Sequence, residues 1–227
     1  MLKDETSTVT QPKNFLKTEG LAADLSFNLE QLPGTTAAAM DDSMKILLIE
    51  KHFREIMKVL GLDLKDDSLR DTPSRVAKMY VNEIFSGLNP ANKPSITLFD
   101  NSYGYKEMLV EKNIAVHSHC EHHFVPITGK AHVAYFSKGK VIGLSKLNRI
   151  VKYCSSRPQV QERLTIQIAD MIKEALDTDD VAVLIDAVHH CVAARGVQDG
   201  DSSTITASYS GKFLNTVVKN DFLQHIR

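Results

Sequence analysis

The chain has 227 residues, 43% hydrophobic and 24% charged, enough apolar material for one large domain or one domain with an appendage. A formal net charge of −1 argues against general binding to nucleic acid or a membrane surface, so any anionic ligand must be met by a local cationic pocket. Cys120, Cys154 and Cys191 are an odd set and a poor disulfide framework; with no apolar run near the roughly 20 residues of a membrane span, and no signal-peptide core, a cytoplasmic protein is expected.

Residues 1 to about 41 mix Thr, Gln, Lys, Glu and Ala with no sustained period, and "LPGTTAAAMDD" reads as a linker. A mobile tail is expected there, with "LAADLSFNLEQL" forming at most a transient helix. From Ser43 the pattern changes. Ile46, Ile49, Phe53, Ile56 and Leu60 recur at steps of three and four, an amphipathic helix that stops at Gly61. A second helix opens at "DTPSRVAKMY", with Thr72 as N-cap and Pro73 in the first turn, and closes near "FSGLNP". Residues 42–94 thus form an N-terminal helical part.

Beyond Pro94 the period shortens to two. "SITLF", "EMLVEKNIAVHS", "KAHVAYFS" and "KVIGL" read as strands, with "SKGK" as a tight turn between the last two. Two helices follow, "SKLNRIVKYCSS" and "PQVQERLTIQIADMIKEAL", the second holding Val160, Leu164, Ile168, Ile172 and Leu176 on one face. "VAVLIDAVHHCVAA" and "STITASYSGKF" then close the chain as strands. Hairpin, two helices, two strands predicts an α+β domain over 95–227, an antiparallel sheet with both helices on one face.

"HSHCEHHFVP", from His117 to Pro126, crowds four histidines and a cysteine together. Cys120 and His123 would face opposite ways in an extended strand, so the chain must turn there for both to serve one site. Strand alternation puts His189 and Cys191 on one side of "VAVLIDAVHHC", after Val183, Ile185 and Ala187, with His190 on the other. Thiolate and imidazole are good zinc ligands, so Cys120, His123 and Cys191 make a metal set. Three protein ligands leave a position for water, as a catalytic zinc requires; Cys154 or His119 as a fourth ligand would instead close the site structurally. Cys154 lies on the apolar side of its helix with Leu147, Ile150 and Val151, which favours a core thiol. His122 and His189 remain as acid–base groups. His52, His132 and His225 read as surface or edge histidines.

"CEHHFVPITGKAHVAYFSKGKVIGLSKLNRIV", "RPQVQERLTIQIA" and "DAVHHCVAARGVQD" closely resemble GTP cyclohydrolase I, and "DDSLRDTPSRVAKMYVNEIFSGL" is similar to its helical N-terminal part. The resemblance runs from about Ser43 to Phe213. It implies the tunnelling fold, a homodecamer of two stacked pentamers, and one zinc per subunit. The implied reaction is hydrolysis of GTP to 7,8-dihydroneopterin triphosphate and formate, the first step of folate and pterin biosynthesis.

Residue by residue, the resemblance makes Cys120, His123 and Cys191 zinc ligands and His122 and His189 catalytic. It makes Glu162, with Gln161 beside it, the guanine-reading group. By composition alone Glu162 is a solvated helix charge. Lys146 and Arg149 lie three apart on one helix face, Ser145 sits at that helix's N-terminus, and Arg195 follows the second histidine motif; the resemblance assigns these four to phosphate or ribose. Lys112, Lys130 and Arg163 read as solvated charges. His119 before Cys120 is unusual. Two rival classes stay open: an interaction protein with a closed structural zinc, and a relative that stops at the ring-opened intermediate.

Overall fold

A computed structural model describes residues 40–227. The expected tail, with its transient helix, lies outside these residues apart from its last two positions. Helix α1 (Asp42–Val59) ends as expected, at Gly61 with φ +78°. Its stripe is only half covered: Ile46, Ile49 and Phe53 are partly buried, whereas Ile56 and Leu60 are exposed. Helix α2 (Thr72–Met79) starts one residue earlier than Thr72 as N-cap implies; Asp71 is the cap, and Pro73 lies in the first turn. A π-helical turn, Tyr80–Ile84, carries it on to Phe85.

Five strands make the main sheet in the order β5-β2-β3-β6-β7: β2 (Met108–Cys120), β3 (Pro126–Phe136), β5 (Pro158–Gln159), β6 (Val181–His189) and β7 (Thr204–Tyr209). All neighbours are antiparallel except β2 with β5. Helices α3 (Leu144–Ser155) and α4 (Gln161–Leu176) cover one face. There Leu147, Ile150 and Val151, with Leu164, Ile168 and Ile172, meet Val116, Ile127, Val133 and Ile185. Each such side chain, once buried, contributes about 1.5–3 kcal/mol. The α+β architecture and the hairpin–αα–ββ order stand as expected.

Three local readings need correction. β4 (Lys140–Ile142) does not pair with β3 across the Ser137–Lys140 turn; it pairs with β1 (Leu98–Asp100) in a separate two-stranded ribbon. The Tyr135 hydroxyl accepts from Ile142 N–H at 3.1 Å and anchors that ribbon to the sheet. β6 stops at His189, and a helical turn, α5 (His190–Ala193), takes over. The chain also closes on a helix, α6 (Thr216–His225), not on a strand. Phe222 of α6 and Phe213 pack on Ala134, Ala182 and Leu184, so part of the second sheet face is covered too. β6 runs unusually close to β3. A Cβ on Gly129 would lie 2.1 Å from Asp186 O, so glycine alone permits this approach, two pairs from His189.

Candidate functional site

β2 ends at Cys120, and the chain reverses through Glu121–Phe124 before β3, as the spacing of Cys120 and His123 demands. Cys120 N–H donates to Val125 O and Phe124 N–H to Cys120 O, both at 2.8 Å. Phe124 takes φ +54°, the tight left-handed corner of the turn. Across the sheet, His189 is the last residue of β6 and pairs with Ile127. Cys191 reaches the same place by another route than strand alternation. The first turn of α5 swings it back against the core.

The donor atoms of Cys120, His123 and Cys191 lie within 4.8 Å of one another. Cys120 Sγ is 3.9 Å from His123 Nδ1. Two ligands on a tetrahedral zinc, with bonds of about 2.0–2.3 Å, stand roughly 3.5–3.8 Å apart, so two thiols and one imidazole at these separations fit such an ion. Burial, then the hydrogen bond and charge of the neighbouring Cys120 thiol, push the Cys191 thiol up. A cation there would relieve that crowding by holding both sulfurs as thiolates.

Among the described residues neither suggested fourth ligand joins the group. Cys154 is buried, its Sγ 3.4 Å from Met171 Sδ, and burial pushes its thiol up to about 11; it is a core thiol. His119 meets Phe85 in a T-shaped ring contact, with centroids 5.5 Å apart. His122, exposed on the turn, has Nδ1 3.6 Å from Cys120 Sγ. His190 does face away, Nε2 lying 3.1 Å from Thr128 Oγ1. His132 is not an edge residue. It is 7% exposed, and burial holds its pKa below the usual imidazole range.

Gln161 sits differently from a substrate-facing residue. Only 1% exposed, it directs Nε2 at Ile185 O (3.2 Å), Thr204 O (2.8 Å) and Thr206 Oγ1 (3.1 Å). Two carbonyls accept only, so this end of the amide must be nitrogen. Its Oε1 therefore faces His189 Nε2 at 2.7 Å and can only accept. His189 carries its hydrogen on Nε2, which leaves Nδ1 with the free lone pair. Burial lowers the His189 pKa, and Glu162 opposes that shift, which places the Glu162 charge within electrostatic reach of the ring. Glu162 is exposed on the first turn of α4. Arg195, also exposed, follows α5.

Ser145 and Lys146 are not brought to this place. α3 begins just after β4, beside the Tyr135 end of β3, and Lys146 Nζ donates to Ser95 Oγ at 3.3 Å. The donor group lies at the Ile127 end. At about 3.3 Å per residue, the strand between those ends spans roughly 26 Å, which sets the start of α3 apart from the donor group. Arg149, exposed, lines a separate cleft of about 340 Å³ with Ser86, Gly87, Lys152 and Tyr153, which none of the donor residues lines.

The sequence model of the family described as GTP cyclohydrolase I matches residues 49–227, nearly the whole described chain. The chain belongs to the GTP cyclohydrolase I family. It is 58% identical over 186 residues to GTP cyclohydrolase 1 of Flavobacterium johnsoniae, covering 82% of this chain and 83% of that one. It is 54% identical over 189 residues to the Erwinia tasmaniensis protein of the same name (83% and 86% covered) and 53% to that of Escherichia coli K12 (83% and 85%). A solved structure, the archaeosine synthase QueF-Like in the apo form, aligns at 16% identity with a TM-score of 0.39, over 47% of this chain and 96% of that one, a likeness too slight to argue from. The segments matched in this cyclohydrolase family hold both histidine motifs and the first turn of α4, the three pieces that meet at the donor group.

Proposed function

We propose that this protein hydrolyses GTP to 7,8-dihydroneopterin triphosphate and formate, the first step of folate and pterin biosynthesis, in the cytoplasm and with one zinc per subunit. The observation that carries this reading is the convergence of Cys120, His123 and Cys191 beside a histidine whose ring is held by a buried amide. Cys120, His123 and Cys191 would hold the zinc, which when bound supplies Lewis acidity and brings the pKa of a water towards neutrality. Glu162 accepts the adjacent N–H donors of guanine's pairing edge. His122, exposed beside Cys120, protonates the ring nitrogen released as the imidazole ring opens. His189, with Nε2–H engaged by Gln161, moves a proton at Nδ1 on the opened sugar.

Ser145, Lys146 and Arg149, with Arg195, take the triphosphate. Ser145 and Lys146 stand at the far end of β3 from the donor group of their own chain, so in this reading they, and Arg149 on the same helix, serve the site of a neighbouring subunit. A homodecamer of two pentamers satisfies that need, and it would cover the β7 edge and the exposed apolar positions Leu47 and Ile56 of α1, with Leu60 just beyond it.

The test is to incubate the purified protein with GTP and zinc while following formate and the pterin chromophore together. Both are expected in equal amounts. Formate without pterin would mean that the reaction stops at ring opening, and neither product would leave zinc with a structural role only.

A further inference from the structure

Cys120 is set by the β2 ladder, where it pairs with Gln159, and Cys191 by α5. His123 has no such support. It stands exposed on a turn whose backbone bonds mostly close on Cys120 itself. Among the described residues, the one side-chain hydrogen bond or ion pair that ties Glu121–Phe124 to anything beyond Cys120 is that of the Glu121 carboxylate with Arg163 Nη2. Glu121 N–H adds a bond to Gln159 O at 3.1 Å.

Arg163 is itself held. Its Nε donates to Gln159 Oε1 at 2.9 Å and its Nη2 to Pro158 O at 3.1 Å. Gln159 is buried, and its Nε2 donates to Cys154 O and Gln167 Oε1, both at 2.9 Å. With Nε held by Gln159 and one Nη2 hydrogen by Pro158 O, the other Nη2 hydrogen is aimed at Glu121. Arg163 is exposed, as the sequence reading expects, but it is also bonded to Gln159, Pro158 and Glu121.

We infer that Arg163 is a positioning residue of the metal centre: by gripping Glu121 it holds the turn in the register that brings His123 to the two thiols. The inference rests on the proposed metal site, and it assigns Arg163 no contact with metal or substrate. Residues that orient metal ligands typically matter about 10–100-fold in metal affinity.

The test measures zinc affinity of the full chain by competition with a chromophoric chelator, for wild type, Arg163→Met, Arg163→Lys, Glu121→Ala and the Arg163→Met/Glu121→Ala double variant. Wild type is expected to hold one zinc per chain, and each of Arg163→Met and Glu121→Ala to bind it about 10–100-fold more weakly. The double variant should lose no more than the worse single, because both break one contact. Arg163→Lys should fall between, its ammonium reaching the carboxylate without the fork. Charge alone predicts the opposite sign for Arg163→Met, since removing a cation favours a dication nearby. Affinities within twofold of wild type, or losses that add in the double variant, would overturn the inference while the metal reading stands. A wild-type chain that takes up no zinc would overturn both. Should Arg163→Met fail to fold, Glu121→Ala and Arg163→Lys, changed at partly exposed positions, still decide the matter.

Discussion

The two chain segments that meet at the donor group are held by different means. His189 and Cys191 leave the end of β6, a central strand paired with β3 up to His189 and with β7 up to Ala187, and Cys191 packs on the core. His189 is further clamped by an amide that is buried and saturated. His122 and His123 ride on an exposed turn held by one partly exposed ion pair, Glu121 with Arg163, by Glu121 N–H on Gln159 O, and by the Phe124 ring against Phe85 at 5.2 Å. One half of the site is thus built into the core, where an error is costly, and the other is attached to it, where a few surface contacts adjust geometry. The difference teaches where to cut: loss of a ligand, of a substrate contact, of a ring clamp and of a remote group should give separable results.

The deepest cut is Cys191→Ser. A hydroxyl is a poor ligand for a borderline-soft ion. The variant should lose most of its zinc by metal analysis and all formate release from GTP. Full occupancy with normal turnover would remove Cys191 from the site.

Glu162→Gln comes next. It keeps size but turns one acceptor into a donor that faces guanine's own donors, at a cost of roughly 2–5 kcal/mol. GTP turnover should collapse while zinc content and oligomeric state stay normal. Unchanged kinetics would return Glu162 to the solvated surface.

Gln161→Leu attacks the rigid half without touching a ligand. With the ring of His189 released, kcat should fall by about 100-fold, KM should change little, and zinc should be retained. A rise in KM alone would instead mean that Gln161 contacts GTP, contrary to its buried amide.

A smaller effect lies outside both halves. The pKa of His132 is lowered by burial, with Lys130 and Lys112 adding to the shift and Asp186 opposing it. The unfolded chain takes up a proton at the usual imidazole pKa while the folded chain resists it. The stability contributed is present above that pKa and is lost as the pH falls below it. His132→Gln should therefore show a shallower drop in Tm between pH 7 and pH 5 than wild type. The smallest expected effect is that of deleting residues 1 to 41, which should leave turnover within about twofold, since nothing there matches the site.

Much of this was legible in one dimension. The steps of three and four in α3 and α4, and the alternation through Val183, Ile185 and Ala187, follow from helical and strand periods that each segment carries by itself. Cys120 and His123 demanded a turn because a strand would separate them. α6 lies beyond the last segment the sequence reading placed, although Asn215 gave a legible cap, its side chain accepting from Val217 N–H at 2.8 Å.

Local chemistry alone determined α1 to α4, the long strands of the sheet and the types of donor atom, because periodicity and ligand softness belong to the residues themselves. Tertiary structure alone decided the partner of β4, the route by which Cys191 reaches the site, the burial of Gln161 and the aim of Arg163 at Glu121. It also decided that Lys146 and Cys120 stand at opposite ends of one sheet. Each of these depends on which distant segments come into contact, and neither the sign of a charge nor the period of a pattern specifies that.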